Sequence, residues 1–499
     1  MLRNWQSHMD YQQYILSTLP DFLNVERDRV LRLEGSISKL YLLNLDSVHP
    51  VIEKLYSNTG RPAKNQQGII RSLVLMLDQK VYSISEWAST VASDPLLRAI
   101  CGFDSDNAPS AASYYDFINR LWLSPLNMSK TRIKKLKPFK SKPRVKLKTG
   151  QKQPPKHPGI VAKLVKRAME DRLPQNRPER VFQELLARCV VDTSADMGIL
   201  GDVKHFSVAA DGTPFYSGGN PRGTKVCDCK SHGIYDCKCP RRYSDLDARW
   251  GWDSYREQWY FGNNLFCVVA ADSPYDLPVY LRIGQASRHD SVLNVFALPE
   301  VRKLYPAIHI TEFIADGAMD NYPTYELLHC FGITPIIPLD SNAKAKYSGE
   351  LPLGVLCLDD KGNPICPGGI PYQNCGYSHP KGIKYRCWFD YRGIDKPCKC
   401  TDSPYGRTVY LKPGDDLRLY PPIPRDSKAF RQRYKRRTTA ERNNKRLFID
   451  YDIEAYRSRS SRMRFALATM AAINIHLDAW LKHTGFNIID LLEKRSTAA

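Results

Sequence analysis

His205-Phe-Ser-Val-Ala-Ala-Asp211-Gly-Thr-Pro214 is an apolar run of strand-forming residues that delivers a carboxylate and then a glycine. The same wording returns 105 residues later as Ile308-His-Ile-Thr-Glu-Phe-Ile-Ala-Asp316-Gly317. An acid at the C-terminal end of a buried strand is where open α/β sheets place their sites, and the glycine lets the backbone turn away. Between the two acids lie Leu265-Phe-Cys-Val-Val-Ala-Ala271 and Leu277-Pro-Val-Tyr-Leu-Arg-Ile283, which suit a hairpin around Pro274-Tyr-Asp276. A helical crossover near Val292 to Leu304, a helix over Pro323 to Cys330 and a short strand, Ile333-Thr-Pro-Ile-Ile-Pro338, complete a mixed α/β sheet flanked by helices.

A third acid stands in Phe430-Arg-Gln-Arg-Tyr434-Lys-Arg-Arg437-Thr-Thr-Ala-Glu441-Arg-Asn-Asn-Lys445. Tyr434, Arg437, Glu441 and Lys445 are spaced by three, four and four, so they share one helix face. An acid there suits a metal ligand beside groups that grip phosphate. Hard oxygen donors from Asp211, Asp316 and Glu441 suit Mg²⁺ or Mn²⁺, and two such ions serve phosphodiester chemistry.

The chain has 499 residues, enough for two to four units, and its 42% hydrophobic and 25% charged residues exclude global disorder. Its net charge of +21 is concentrated: Lys130 to Arg167 holds 15 Lys or Arg and no acid. Arg425 to Arg446 holds ten bases against Asp426 and Glu441. Such density points to a polyanion, nucleic acid above all, because neutralised phosphates release counterions. The expected DNA contacts are Tyr434, Arg436, Arg437 and Lys445 on the helix, with Lys134 and Lys135 in the first basic segment.

Composition divides the chain into a helical segment over 1–125, a Lys- and Pro-rich linker over 126–180 without regular elements, a core over 181–341 and 426–490, and a Cys-, Pro- and Gly-rich insertion over 342–425. Ser83, with Glu86 three residues on, predicts a capped helix, and a long helical stretch is expected from Ser427 to about Leu481. The apolar run Phe465 to Leu481 is interrupted by Thr469, Asn474, His476 and Asp478 and predicts no membrane span. Met1-Leu-Arg-Asn-Trp-Gln-Ser-His8 lacks secretory features, so a soluble cytoplasmic protein is expected.

The chain has fourteen cysteines. Cys227-Asp-Cys229 and Cys237-Lys-Cys239 are four soft ligands on a short polar loop, suited either to a structural tetrahedral Zn²⁺ or to free thiols. Cys366, Cys375, Cys387, Cys398 and Cys400 form a looser second set, while Cys101, Cys189, Cys267 and Cys330 lie in apolar runs and read as buried.

Taken together these motifs resemble the DDE transposases of bacterial insertion sequences, whose core has the RNase H-like fold. Asp211, Asp316 and Glu441 match that family's three acids in order, and Tyr434-x-x-Arg437-x-x-x-Glu441 matches the start of its Tyr-Arg-Glu-Lys signature. The signature's Lys falls where this chain has Phe448, leaving Lys445 as the nearer substitute, and Asn263 or Asn264 stands where the family often has Lys. Phe261-Gly-Asn-Asn-Leu265 and His289-Asp290-Ser291 resemble further family blocks, as does Asp316-Gly-Ala-Met-Asp320.

The resemblance implies cleavage of DNA at the element's terminal inverted repeats, strand transfer into target DNA, a homodimer on paired ends, and a bacterial, nucleoid-associated setting. Asp290, Asp320 and Asn321 are then either supports of the site or simple turn and cap residues. A nuclease with the same core, a catalytically silent DNA-binding derivative and a zinc protein binding RNA are the competing readings.

Overall fold

The computed structural model describes residues 2, 5–103, 108–123, 132–134, 159–173, 177–340, 350–393 and 401–498. Its main sheet has six strands: β1 (Phe206–Tyr216), β2 (Arg249–Asp253), β3 (Gln258–Ala270), β4 (Pro278–Gln285), β5 (Ile310–Ile314) and β6 (Thr334–Ile336). Their order is β2-β3-β1-β5-β6, and β4 lies beside β2 on the same edge of the long strand β3. Strands β2, β3, β4 and β1 pair antiparallel, whereas β1-β5-β6 pair parallel. Parallel neighbours need crossover connections. These are the helices α2 (Asp290–Leu304) and α3 (Tyr322–Cys330), which in chain order follow α1 (Gln66–Asp78). The C-terminal part adds α4 (Lys428–Tyr434), α5 (Thr438–Lys445) and α6 (Ser461–Thr484). The mixed α/β sheet expected from the sequence is the fold.

One apolar core runs from Tyr11 to Leu492 and joins the N-terminal helices to the sheet. Helix α6 is its axis, packed against α1 on one side and β4 on the other. The polar residues that interrupt its apolar run each find partners, although the Asn474 Oδ1 atom has none among the described residues. Asn474 Nδ2 donates to the Val74 carbonyl (2.9 Å), Thr469 Oγ1 to the Phe465 carbonyl (2.8 Å), and Asp478 pairs with Lys39 (2.6 Å) and Arg446 (2.8 Å). Among the described residues no helix is long and apolar enough to cross a membrane.

Several local expectations need correction. The expected helix from Ser427 to Leu481 is broken between α5 and α6, where Asp452 and Arg457 take positive φ and Ser460 caps a new helix. The linker is not devoid of structure. Ile160–Met169 is helical after the breaker Pro158-Gly159 and packs on α2 and α3, and Arg132–Lys134 pairs antiparallel with Arg241–Tyr243. Ser83 caps its helix as expected, accepting the Glu86 amide at 3.3 Å. Residues 373–411 contribute a separate three-stranded sheet with its own small core around Ile383, Tyr385, Leu411 and Tyr420.

Candidate active site and a four-cysteine loop

Asp211 is not at the end of its strand, as expected, but is the sixth residue of the eleven in β1. The reason lies in the neighbours. Pairing of β1 with β5 stops at Ala209 opposite Ile314, so from Asp211 onward β1 has only β3 beside it. That open edge tolerates Pro214, which has no amide to give a ladder. Asp211 therefore sits just past the end of the parallel pair, where β5 releases Asp316 into a short turn with Ala318 N–H donating to Asp316 Oδ1 (3.0 Å).

Gly212 does not turn the chain. Its missing side chain makes room for Asp290, the first residue of α2, whose carboxylate a Cβ at 212 would strike. Asn264 Nδ2 holds Asp290 Oδ1 at 2.6 Å. Burial first, and then the charges of Asp290 and Asp316, push the Asp211 carboxyl up to about 7. Burial likewise raises Asp290. A crowd of carboxylates sharing a half-buried site is a donor set that a divalent cation relieves.

Helix α5, with the end of α4 and the turn between them, brings the remaining groups. Glu441 is paired by Arg437 one turn earlier, and Tyr434, stacked on Phe430 at 5.8 Å, lies against the same guanidinium. Among the described residues only the four cysteines gather three or more ligand atoms within 4.8 Å, so the three acids stand farther apart than that. Asn444, absent from the sequence reading, donates Nδ2 to Asp211 Oδ2 at 3.2 Å, whereas Lys445 points to solvent. The signal for Asn444 was its place three residues after Glu441, on the same face.

Arg436 is turned away from the acids. Its guanidinium is engaged by Glu312, Asp272 (2.5 Å) and Ser207 (3.0 Å) at the other end of β1. Phe448 is a packing residue, edge-on to Phe215 at 5.1 Å. Asn263 accepts Arg464 Nε at 2.9 Å, and the wholly buried Arg464 also pairs with Asp245 at 2.7 Å. Asp320 is bound by Arg418 (2.9 and 2.6 Å), Tyr325 and the Asp340 amide, so it ties the segment carrying Arg418 to the core. Asn321 caps α3 through the Thr324 amide (3.1 Å). Lys134 lies in the strand paired with Arg241, and Lys135 lies outside the described residues.

Residues 208–477 match the family model described as "Transposase DDE domain", and residues 34–120 match "Transposase domain (DUF772)". The chain belongs to the transposase DDE domain family. A DDE transposase acts in DNA transposition, binds DNA and generally uses divalent metal ions for phosphoryl transfer. The matched range contains Asp211, Asp316 and Glu441, and the N-terminal match covers helix α1. Comparisons with curated proteins and with solved structures find no match.

In this DDE transposase the four-cysteine loop lies between β1 and β2. Cys227 Sγ is 3.4 Å from Cys237 Sγ, Cys229 Sγ is 3.6 Å from Cys239 Sγ, and all four sulfurs fall within 4.8 Å of one another. A tetrahedral ZnS₄ group with Zn–S bonds of about 2.3 Å has S···S edges of about 3.8 Å. The donor set therefore fits. The Cys229 amide, with a hydrogen bond from Cys237, draws the Cys227 thiol down, while the same sulfur contacts push Cys229 and Cys239 up, so the cluster shares its protons.

In the second set, Cys366 and Cys387 are buried and gather no ligand cluster with Cys375, while Cys398 and Cys400 lie outside the described residues. Cys101, Cys189 and Cys267 are buried as expected. Cys330 is exposed, because it ends α3 on the solvent side.

Proposed function

We propose that this chain cleaves DNA at the ends of its insertion sequence and joins the released 3′ hydroxyl to target DNA, using Asp211, Asp316 and Glu441. The observation that carries the reading is the placement of Asp211 where β1 and β5 part, with Asp290 packed over Gly212 and Asn444 tying it to the helix of Glu441. Mg²⁺ or Mn²⁺ bound there supplies charge neutralisation at the phosphodiester and an activated attacking oxygen. Asp211 and Asp316 hold the metal from two strands, and Glu441 completes the set from α5 once it leaves Arg437. Arg437, freed by the same movement, grips the scissile strand's phosphate with Tyr434 beside it. Asn444 keeps the Asp211 carboxylate oriented. Lys445, Lys134 and Lys135 add to backbone binding without reading sequence.

Cys227, Cys229, Cys237 and Cys239 hold a structural Zn²⁺ that fixes the loop carrying Arg241 and Arg242. Residues 1–125 serve DNA binding and pairing of two chains on paired ends, the 126–180 segment is a basic tether, and 342–425 is an insertion in the catalytic core.

The test is cleavage of a fragment bearing the element's own ends, with Mg²⁺, Mn²⁺ or EDTA. Asp211→Asn, Asp316→Asn and Glu441→Gln should each lower cleavage by at least a hundredfold, in the range expected for losing a metal ligand. DNA affinity should hold within about threefold. Tight binding with no cleavage by the wild type in either metal would instead assign a silent DNA-binding protein. Cleavage without joining would assign a nuclease.

A further inference from the structure

The strands β2 and β3 run on past the rest of the sheet. β1 ends at Tyr216 opposite Gly262, so residues 258–261 of β3 have β2 as their only strand neighbour. On this two-stranded arm Trp250 faces Phe261 and Trp252 faces Trp259. Side chains alternate along a strand, so these four rings share one face. Their centroids are 5.8 Å and 5.5 Å apart within the pairs. Trp250, Trp252 and Trp259 are 48%, 52% and 65% exposed, and Tyr255 at the tip is 93% exposed. Tryptophan is ordinarily well covered, and clustered exposed rings mark a binding surface.

The opposite face of the arm is fixed. Gly251 has room for no side chain against Ala286 and the Tyr260 ring. The Tyr216 hydroxyl donates to Asp253 Oδ2 (3.0 Å) and accepts from Gln258 Nε2 (2.9 Å). Asp253 Oδ1 is taken by the amides of Tyr255 and Arg256, so this acid is directed inward. The ladder thus presents its rings on a face whose backing is held by these bonds, with Glu257 exposed at the tip between Tyr255 and Trp259.

Register links the platform to the acids. Cys267 pairs with Asp211 and lies on the same face of β3 as Asn263, Phe261 and Trp259. The rings therefore begin on the face that carries Asp211, about 20 Å along the strand. A second copy of the chain is a poor occupant. The three half-exposed indoles and Tyr255 together offer roughly 600 Å² at the upper end of aromatic area, still below about 800 Å² per partner for a standard interface. Nucleobases suit it, since each has a flat face and stacks on such rings without regard to sequence.

We propose that the β2–β3 arm is a stacking platform for unpaired bases of the DNA held at the acid site. It rests on the proposed function only in taking DNA as the ligand. The test uses the full chain and two duplexes of one length, one fully paired and one with a short internal unpaired bubble. Wild type should bind the bubble more tightly, with quenching of tryptophan fluorescence. The double variant Trp252→Ala/Trp259→Ala should bind the bubble about ten- to a hundredfold more weakly while its affinity for the paired duplex is unchanged. Trp252→Phe/Trp259→Phe should retain most of the preference.

Equal loss on both duplexes, or no loss on either, overturns the proposal. So does a drop in sedimentation mass of the double variant, which would assign the rings to self-association. Asp211→Asn should keep the bubble preference, so a failure of the cleavage reading shows in that variant's activity and not in this binding difference.

Discussion

Asn444 donates its side-chain amide to Asp211 Oδ2 across 3.2 Å, tying the helix that carries Glu441 to the strand that carries the first acid. The Gly212 amide also serves this carboxylate, and Asn444 is its link to α5 among the described hydrogen bonds. Asn444→Ala should lower the cleavage rate about tenfold through lost positioning, with DNA affinity within about twofold. Asn444→Asp should cost more, because a further carboxylate would raise Asp211 again. Equal rates for wild type and Asn444→Ala would remove Asn444 from the site.

The crowding around Asp211 gives metal binding a pH dependence of known sign. The carboxyl sits at about 7, so below that pH a cation must displace a proton. Mn²⁺ affinity, followed by calorimetry on the full chain, should rise with pH and level off above about 7. Asp290→Asn removes a neighbouring negative charge, which favours the ionised form of Asp211, and the levelling point should move to lower pH. A midpoint that stays in place would mean that Asp290 carries no charge in the folded chain.

Much of this site was legible in the residues, and what was missed has definite causes. The strands around Asp211 and Asp316 read correctly because their apolar runs are buried on both faces, and the turn after Asp316 follows its strand end. Asp211 was misplaced because Gly212-Thr213-Pro214 reads as a stop. Only the absence of β5 beyond Ile314 lets the strand continue. A basic run gives no sign of which member meets Glu312 and Asp272, as Arg436 does, more than a hundred residues away in sequence. The aromatic arm was invisible for a related reason. Trp250, Trp252, Trp259 and Phe261 become one surface only through strand register. Alternation alone would have suggested a core-facing strand.

The four-cysteine loop should behave as a metal site separate from the acids. Purified chain should contain one zinc, and Cys229→Ser or Cys239→Ser should lose it, since the four sulfurs form a single cluster. Stripping the zinc should open residues 225–240 to protease while Mn²⁺ binding at the acids is retained. Four rapidly titrating thiols in the zinc-replete chain would sink the assignment and leave these cysteines as free thiols.

The buried end of α6 sets the acid limit of stability. Trp480 Nε1 donates to Ser194 Oγ (2.8 Å), Ser194 donates to His476 Nδ1 (2.8 Å), and His476 Nε2 donates to the Pro278 carbonyl (2.9 Å). This chain of bonds needs a neutral imidazole, because protonated Nδ1 could not accept from Ser194. Burial is the main cause that draws His476 down to about 4, assisted by the Arg446 charge against the pull of the Pro278 carbonyl. A group depressed in the folded state contributes stability that is full above its unfolded value, near 6.5, and is lost as pH falls toward the folded value. Each unit is worth 1.36 kcal/mol, so the loss between pH 6.5 and 4 is roughly 3 kcal/mol. His476→Gln keeps a donor for Pro278 and an acceptor for Ser194 but does not titrate. Urea melts from pH 8 to 4 should show the variant losing less stability over that range than wild type, by about this amount. Parallel curves would mean that His476 titrates alike in the folded and unfolded chain, and the buried neutral imidazole assigned by these four residues would be wrong.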